Sequence, residues 1–233
     1  RLSLVGSEMC IRDRCRGRLD RGRHHRPHGR PRGGRAAAGG AATQRGRLSA
    51  VQEPEPRHSP SSIELLLDPD AEAAVRAEWD ALAARRLSSL AGHTSASNRP
   101  HVTLVARIGL SPPDPDAFAT IPSFPITLGA PLLFGSGDRR VLARSIVPTS
   151  ELIGLRETIL AAVSPGEDAP HTAPGEWMPH VALARRLRVA DLAEALDLIG
   201  SDIRAQARSV RHWDPATAPV SYTHLRAHET KAN

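Results

Sequence analysis

Two histidines in matching octapeptides are the residues of this sequence best placed to do chemistry. Residues 100–107 read PHVTLVAR and residues 179–186 read PHVALARR, so five of eight positions are identical and His101 and His180 sit second in their copies. An internal repeat of this kind marks two copies of one supersecondary unit. Side chains alternate along a strand, which puts His101 and Thr103 on one face and Val102 and Leu104 on the other. His180 and Ala182 share a face in the same way, opposite Val181 and Leu183. If a pseudo-twofold axis relates the copies, both imidazoles converge on one cleft. With an unperturbed pKa of about 6.5, one ring can remove a proton while the other delivers one. Phosphodiester cleavage needs that pair, together with hydroxyl or amide donors that hold the non-bridging oxygens as charge builds. It needs no metal and no cofactor.

The elements that must position these rings are legible around each copy. Before the first, residues 63–67 (IELLL) form a short apolar run bounded by Ser and Asp-Pro, as a buried strand would be. Pro69, Asp70 and Glu72 then supply helix start signals. Val75, Trp79, Leu82, Arg86 and Leu90 recur at spacings of three and four, with Gly92 as the stop. Before the second copy, residues 141–147 (VLARSIV) have strand composition. Pro148, Thr149, Ser150 and Glu151 open a helix carrying Leu152, Leu155, Ile159 and Val163. The distance from Ile63 to His101 is 38 residues and that from Val141 to His180 is 39. Residues 124–134 read as another strand or pair, 189–199 as a helix and 203–210 as a strand. The expected fold is α+β: two pseudo-symmetric lobes, each a small, mainly antiparallel sheet with helices on one face, and the active-site cleft between them.

The paired His-x-Thr/Ser-x pattern, each copy opening a strand about 80 residues from the other, resembles the two-histidine (2H) phosphoesterase superfamily, in particular its 2'-5' RNA ligase-like branch. The resemblance implies that His101 and His180 act as acid and base and that Thr103 binds phosphate. It implies a cyclic phosphodiesterase or 2'-5' RNA ligase-like enzyme whose substrates are RNA ends or cyclic nucleotides with 2'-5' or 2',3'-cyclic linkages. Ala182 departs from the pattern, because a hydroxyl is expected there. By analogy with removing one oxyanion donor, that loss costs about 2–4 kcal/mol. The alternative reading is therefore a catalytically weakened module that binds RNA ends or nucleotides.

Other residues invite weaker readings. His93 and His171 precede the motifs by eight and nine residues and could rim the cleft, or join His101 and His180 in a four-imidazole metal site; as loop histidines they read more simply as solvated. Arg107 and Arg186 each lie six residues after a histidine and could guide an RNA backbone, but read as charged strand ends without a catalytic role. Arg185 and Arg188 are similarly ambiguous, and Trp177 could stack a base or pack.

The chain has 233 residues and a formal charge of +6, whose sign reverses along its length. Residues 1–57 hold 14 Arg against five acids, while 58–233 hold 17 basic and 20 acidic residues. Residues 3–14 (SLVGSEMCIRDR) and 220–233 (VSYTHLRAHETKAN) resemble translated sequencing-adapter read-through. The expected organisation is a disordered or artefactual Arg-rich segment over 1–57, the two-lobed domain over 58–219, and an artefactual tail over 220–233. Cys10 and Cys15 are the only cysteines, so the domain holds neither a disulfide network nor a thiolate zinc site. No stretch approaches the roughly 18 apolar residues of a membrane span. A monomeric cytoplasmic protein is the expectation.

Overall fold

The computed structural model describes residues 59–95, 97–215 and 220–226. The Arg-rich segment over 1–57 lies outside the described residues. Among those described, the order is β1 (Ser61–Leu67), α1 (Pro69–Ala84), β2 (His101–Arg107), β3 (Pro125–Phe134), β4 (Arg139–Ile146), α2 (Ser150–Ala162), β5 (His180–Arg188), α3 (Leu192–Asp197), β6 (Ile203–Trp213) and β7 (Val220–His224). None of the described helices is long and apolar enough to cross a membrane.

The strands pair antiparallel in the order β2-β1-β6-β3-β4-β5. The two small sheets expected from the repeat are present as halves of this arrangement, joined by β6. Residues 203–206 of that strand pair with β3, and 207–213 pair with β1. The ends of the strand order, β2 and β5, carry the repeated motif and contact each other. The α+β class is as the sequence implies.

The two longer helices each begin where a side chain takes up the first amides. Asp68 accepts from the N–H groups of Asp70 and Ala71 at 3.1 and 3.0 Å, and Thr149 Oγ1 accepts from Leu152 N–H at 3.3 Å. The first helix is shorter than its periodicity suggested. It closes in a Schellman turn, with Arg86 N–H donating to the Ala83 carbonyl at 2.8 Å and Leu87 N–H to the Leu82 carbonyl at 3.0 Å. Arg86 holds the left-handed position there, with φ of 60°. Leu90 then packs on the core from a short 3-10 turn. The helix expected over 189–199 contracts to six residues, because Val189–Asp191 forms a 3-10 turn tied by Arg188 to Asp191 at 2.7 and 2.8 Å.

Beyond residue 219, where the sequence places the end of the domain, the described chain continues along the sheet. Residues 220–224 pair with 209–213 of β6, and Ser123 and Arg226 join through a backbone hydrogen bond of 2.7 Å. The open edge of β6 explains this, since unpaired strand backbone can accept an extended segment with little regard to side chains.

The helices cross between halves. Trp79 of α1 donates from Nε1 to the Ala182 carbonyl of β5 at 3.1 Å, whereas Arg156 of α2 donates from Nε to the Leu104 carbonyl of β2 at 3.2 Å. A buried ion pair fixes the first crossing. Arg144, 1% exposed, donates from Nε to Glu78 at 2.8 Å, from Nη1 to the Gly129 carbonyl at 3.1 Å and from Nη2 to the Gly200 carbonyl at 2.8 Å. Glu78 also accepts from Gly200 N–H at 3.0 Å. Burial makes each charge depend on the other, so Glu78→Gln is expected to destabilise the protein by about 3–5 kcal/mol. The check is the urea midpoint, which should fall at unchanged m-value; a variant as stable as the wild type would refute the role given to this pair.

Candidate active site

Both motif strands break register at the same motif position. Adjacent β1 residues Glu64 and Ile63 face Thr103 and Val105, leaving Leu104 without a partner. Adjacent β4 residues Ala143 and Leu142 face Ala182 and Ala184, leaving Leu183 without one. An extra residue shifts the alternation by one and re-aims the side chains beyond it. In β5 both Leu183 and Ala184 are buried, so Arg185, rather than the Arg186 expected from strict alternation, joins His180 and Ala182 on the partly exposed side. A second irregularity lies at Arg186, whose φ is 58°.

The two histidines are held alike. His101 Nδ1 donates to the Arg99 carbonyl at 2.7 Å and His180 Nδ1 donates to the Met178 carbonyl at 2.6 Å. A carbonyl can only accept, so Nδ1 carries the hydrogen in each ring and Nε2 is the nitrogen that changes protonation. The strands are also braced alike. Trp177 Nε1 donates to the Thr103 carbonyl at 3.0 Å, matching the contact of Trp79 on Ala182, and a guanidinium lies over each indole, Arg156 at 4.7 Å and Arg76 at 5.5 Å. Trp177 therefore packs and braces.

The surroundings differ in charge. Glu64 Oε1 lies 3.4 Å from His101 Nε2, and the same carboxylate accepts from Ser62 Oγ at 2.7 Å and Arg211 Nε at 2.6 Å. Glu64 and Arg211 are buried, while the His101 side chain is 19% exposed. His180 instead packs against Phe134, with centroids 4.6 Å apart and the rings tilted by 45°, and the Phe134 and His171 centroids lie 5.2 Å apart. Burial pushes the His180 pKa below the usual value, with the nearby His171 adding to the shift and the Met178 carbonyl opposing it.

Several residues lie apart from the expected groupings. His93 lines a separate cavity, whereas His171 adjoins Phe134, so the four histidines do not gather; among the described residues no group of three or more His, Cys, Asp or Glu is arranged to hold a metal. Arg107 is 7% exposed and ties β2 to the loop before β5, donating from Nε to Asp168 at 2.8 Å and from Nη1 to the Ser164 carbonyl. Glu64, Arg211 and Phe134 escaped the sequence reading. The only signal for Glu64 was a lone carboxylate inside an otherwise apolar strand.

A family model described as the 2'-5' RNA ligase superfamily matches residues 69–232. Among solved structures, Usb1 from Kluyveromyces marxianus is 11% identical, with 71% of this chain and 97% of that chain covered and a TM-score of 0.40. LigT from E. coli in apo form is 15% identical, with coverage of 72% and 94% and a TM-score of 0.40. LigT complexed with 3'-AMP is 18% identical, with coverage of 72% and 96% and the same TM-score of 0.40. No curated protein matches the chain.

The environment of His180 has a measurable consequence. A ring whose pKa is lower in the folded than in the unfolded chain takes up its proton late, so its contribution to stability declines as pH falls from about 6.5 through the folded value. Imidazole resonances monitored by NMR should show His180 titrating below 6.5, and Phe134→Ala should move it upward by admitting water. An unshifted wild-type titration would refute the cause assigned here.

Proposed function

Because the chain belongs to the 2'-5' RNA ligase superfamily, we propose that it is a metal-independent phosphoesterase acting on 2',3'-cyclic or 2'-5' phosphodiester bonds of RNA or nucleotides. The observation that carries this reading is the matched setting of His101 and His180, each with Nδ1 on the carbonyl two residues before it. That setting directs Nε2 of each ring to proton transfer.

The unequal surroundings support a division of roles. His180, whose pKa desolvation lowers, is suited to accept a proton through Nε2 from a water attacking phosphorus. His101, with the Glu64 carboxylate 3.4 Å from its Nε2, is suited to carry the second proton. As the new P–O bond forms, the bond from phosphorus to one ribose oxygen breaks, and His101 protonates that oxygen. A cyclic phosphate thereby becomes a monoester with one free hydroxyl. The Thr103 hydroxyl donates to a non-bridging oxygen. Ala182 supplies no such donor, and this favours the second reading, a module that binds RNA ends with little turnover.

The test is hydrolysis of a 2',3'-cyclic nucleotide by the full chain. His101→Ala and His180→Ala should each lower kcat by about 100-fold or more, and chelator should leave the rate unchanged. Equal turnover by wild type and both variants would end the proposal. Ala182→Ser should raise the rate of an enzyme; binding without turnover, with Ala182→Ser altering affinity alone, would select the second reading.

A further inference from the structure

A cavity of about 700 Å³ lies where the loop after α1 meets the far end of β5 and the start of β4. Five arginines line it, Arg86, Arg139, Arg185, Arg186 and Arg188, and Asp191 is its single carboxylate. None of His101, Thr103, His180 or Ala182 does. Asp191 is occupied by Arg188, at 2.7 and 2.8 Å. Arg185 Nη1 is buried with no hydrogen-bond partner among the described residues. Like charges gathered at one concavity repel each other, and a buried guanidinium nitrogen without an acceptor is costly, so the described residues lining the cavity leave its positive charge unbalanced.

The backbone adds a separate observation. Three described non-glycine residues have left-handed φ values, Arg86 at 60°, His171 at 64° and Arg186 at 58°. Two of them line this cavity. Arg86 stands where a helix most often places glycine, and Arg186 lies beside the register break of β5. Residues held in this region by their surroundings cluster at ligand sites. The wall is also fixed, since Ser88 Oγ donates to the Arg185 carbonyl and Arg139 Nη1 to the Arg186 carbonyl at 3.3 Å.

We propose that this cavity is a second anion subsite, which takes backbone phosphates of an oligoribonucleotide whose terminal phosphate lies at the histidines. Arg185 is five residues beyond His180 on the same strand, roughly 16 Å along it. A ligand reaching both must extend along β5, as a chain of phosphodiesters does and a single nucleotide phosphate does not. The assignment deepens the functional reading and rests on it for the position of the terminal phosphate.

Equilibrium binding tests the subsite without requiring turnover. A fluorescent pentaribonucleotide with a 3'-phosphate, and a 3'-phosphorylated mononucleotide, are titrated with the full chain between 50 and 200 mM salt. The double variant Arg86→Gln/Arg139→Gln should bind the pentanucleotide about tenfold more weakly. Its log Kd against log salt slope should be shallower by about 1.4, two single-strand phosphate contacts at roughly 0.7 each. Its affinity for the mononucleotide should stay within about twofold. Asp191→Asn, which frees Arg188, should tighten pentanucleotide binding and keeps the test open if the double variant fails to fold. Equal losses for both ligands, or an unchanged pentanucleotide affinity in the double variant together with no gain in Asp191→Asn, would overturn the proposal. Intact pentanucleotide binding with no cleavage of any cyclic phosphate would instead sink the catalytic reading and leave this one standing.

Discussion

The strands that carry the histidines are the two ends of the strand order, and an end strand leaves backbone carbonyls with no neighbouring strand to satisfy them. In this protein side chains from the opposite half answer that need. Trp79 reaches across from α1 and Arg156 from α2, and Trp177 reaches from the loop before β5. The helices must cross for these contacts to form, and the crossing in turn requires the buried Glu78–Arg144 pair and the continuous apolar core beneath it. The placement of the motif strands is therefore a consequence of satisfying polar backbone as much as of burying apolar surface.

Symmetry sets what the two histidines have in common, and its failure sets how their surroundings differ. The hydrogen bond from Nδ1 to the preceding carbonyl is a local consequence of how each strand begins, so both copies have it. The groups facing the rings come from other elements and do not repeat. Glu64 on β1 brings a carboxylate toward His101 and is itself held by Arg211 of β6, the strand common to both halves. Phe134 at the end of β3 brings a tilted aromatic ring against His180. One ring lies beside charge and the other in an apolar setting, the kind of difference that separates the tendencies of two otherwise equal bases.

The register breaks connect this pair to the rest of β5. An added residue after Ala182 turns Leu183 and Ala184 both into the core and brings Arg185 out with the histidine. The basic cavity owes its position to that shift, and the loop closing it owes its path to the left-handed turn at Arg86.

The amino-acid order alone determined the duplication, the faces of His101, Thr103, His180 and Ala182 relative to their buried neighbours, the helix starts signalled by Pro69, Asp70 and Glu72 and by Pro148 to Glu151, and the α+β class. These stem from periodicity and capping, which act over a few residues and leave their mark in local sequence. Tertiary structure decided the bulges at Leu104 and Leu183, the exchange of helices between halves, the sharing of β6, and the partners Glu64 and Phe134. Each depends on residues distant in the chain competing for the same buried polar groups and the same volume. Two strands with identical spacing of apolar residues can pair with or without an extra residue, and only the neighbouring strand settles which.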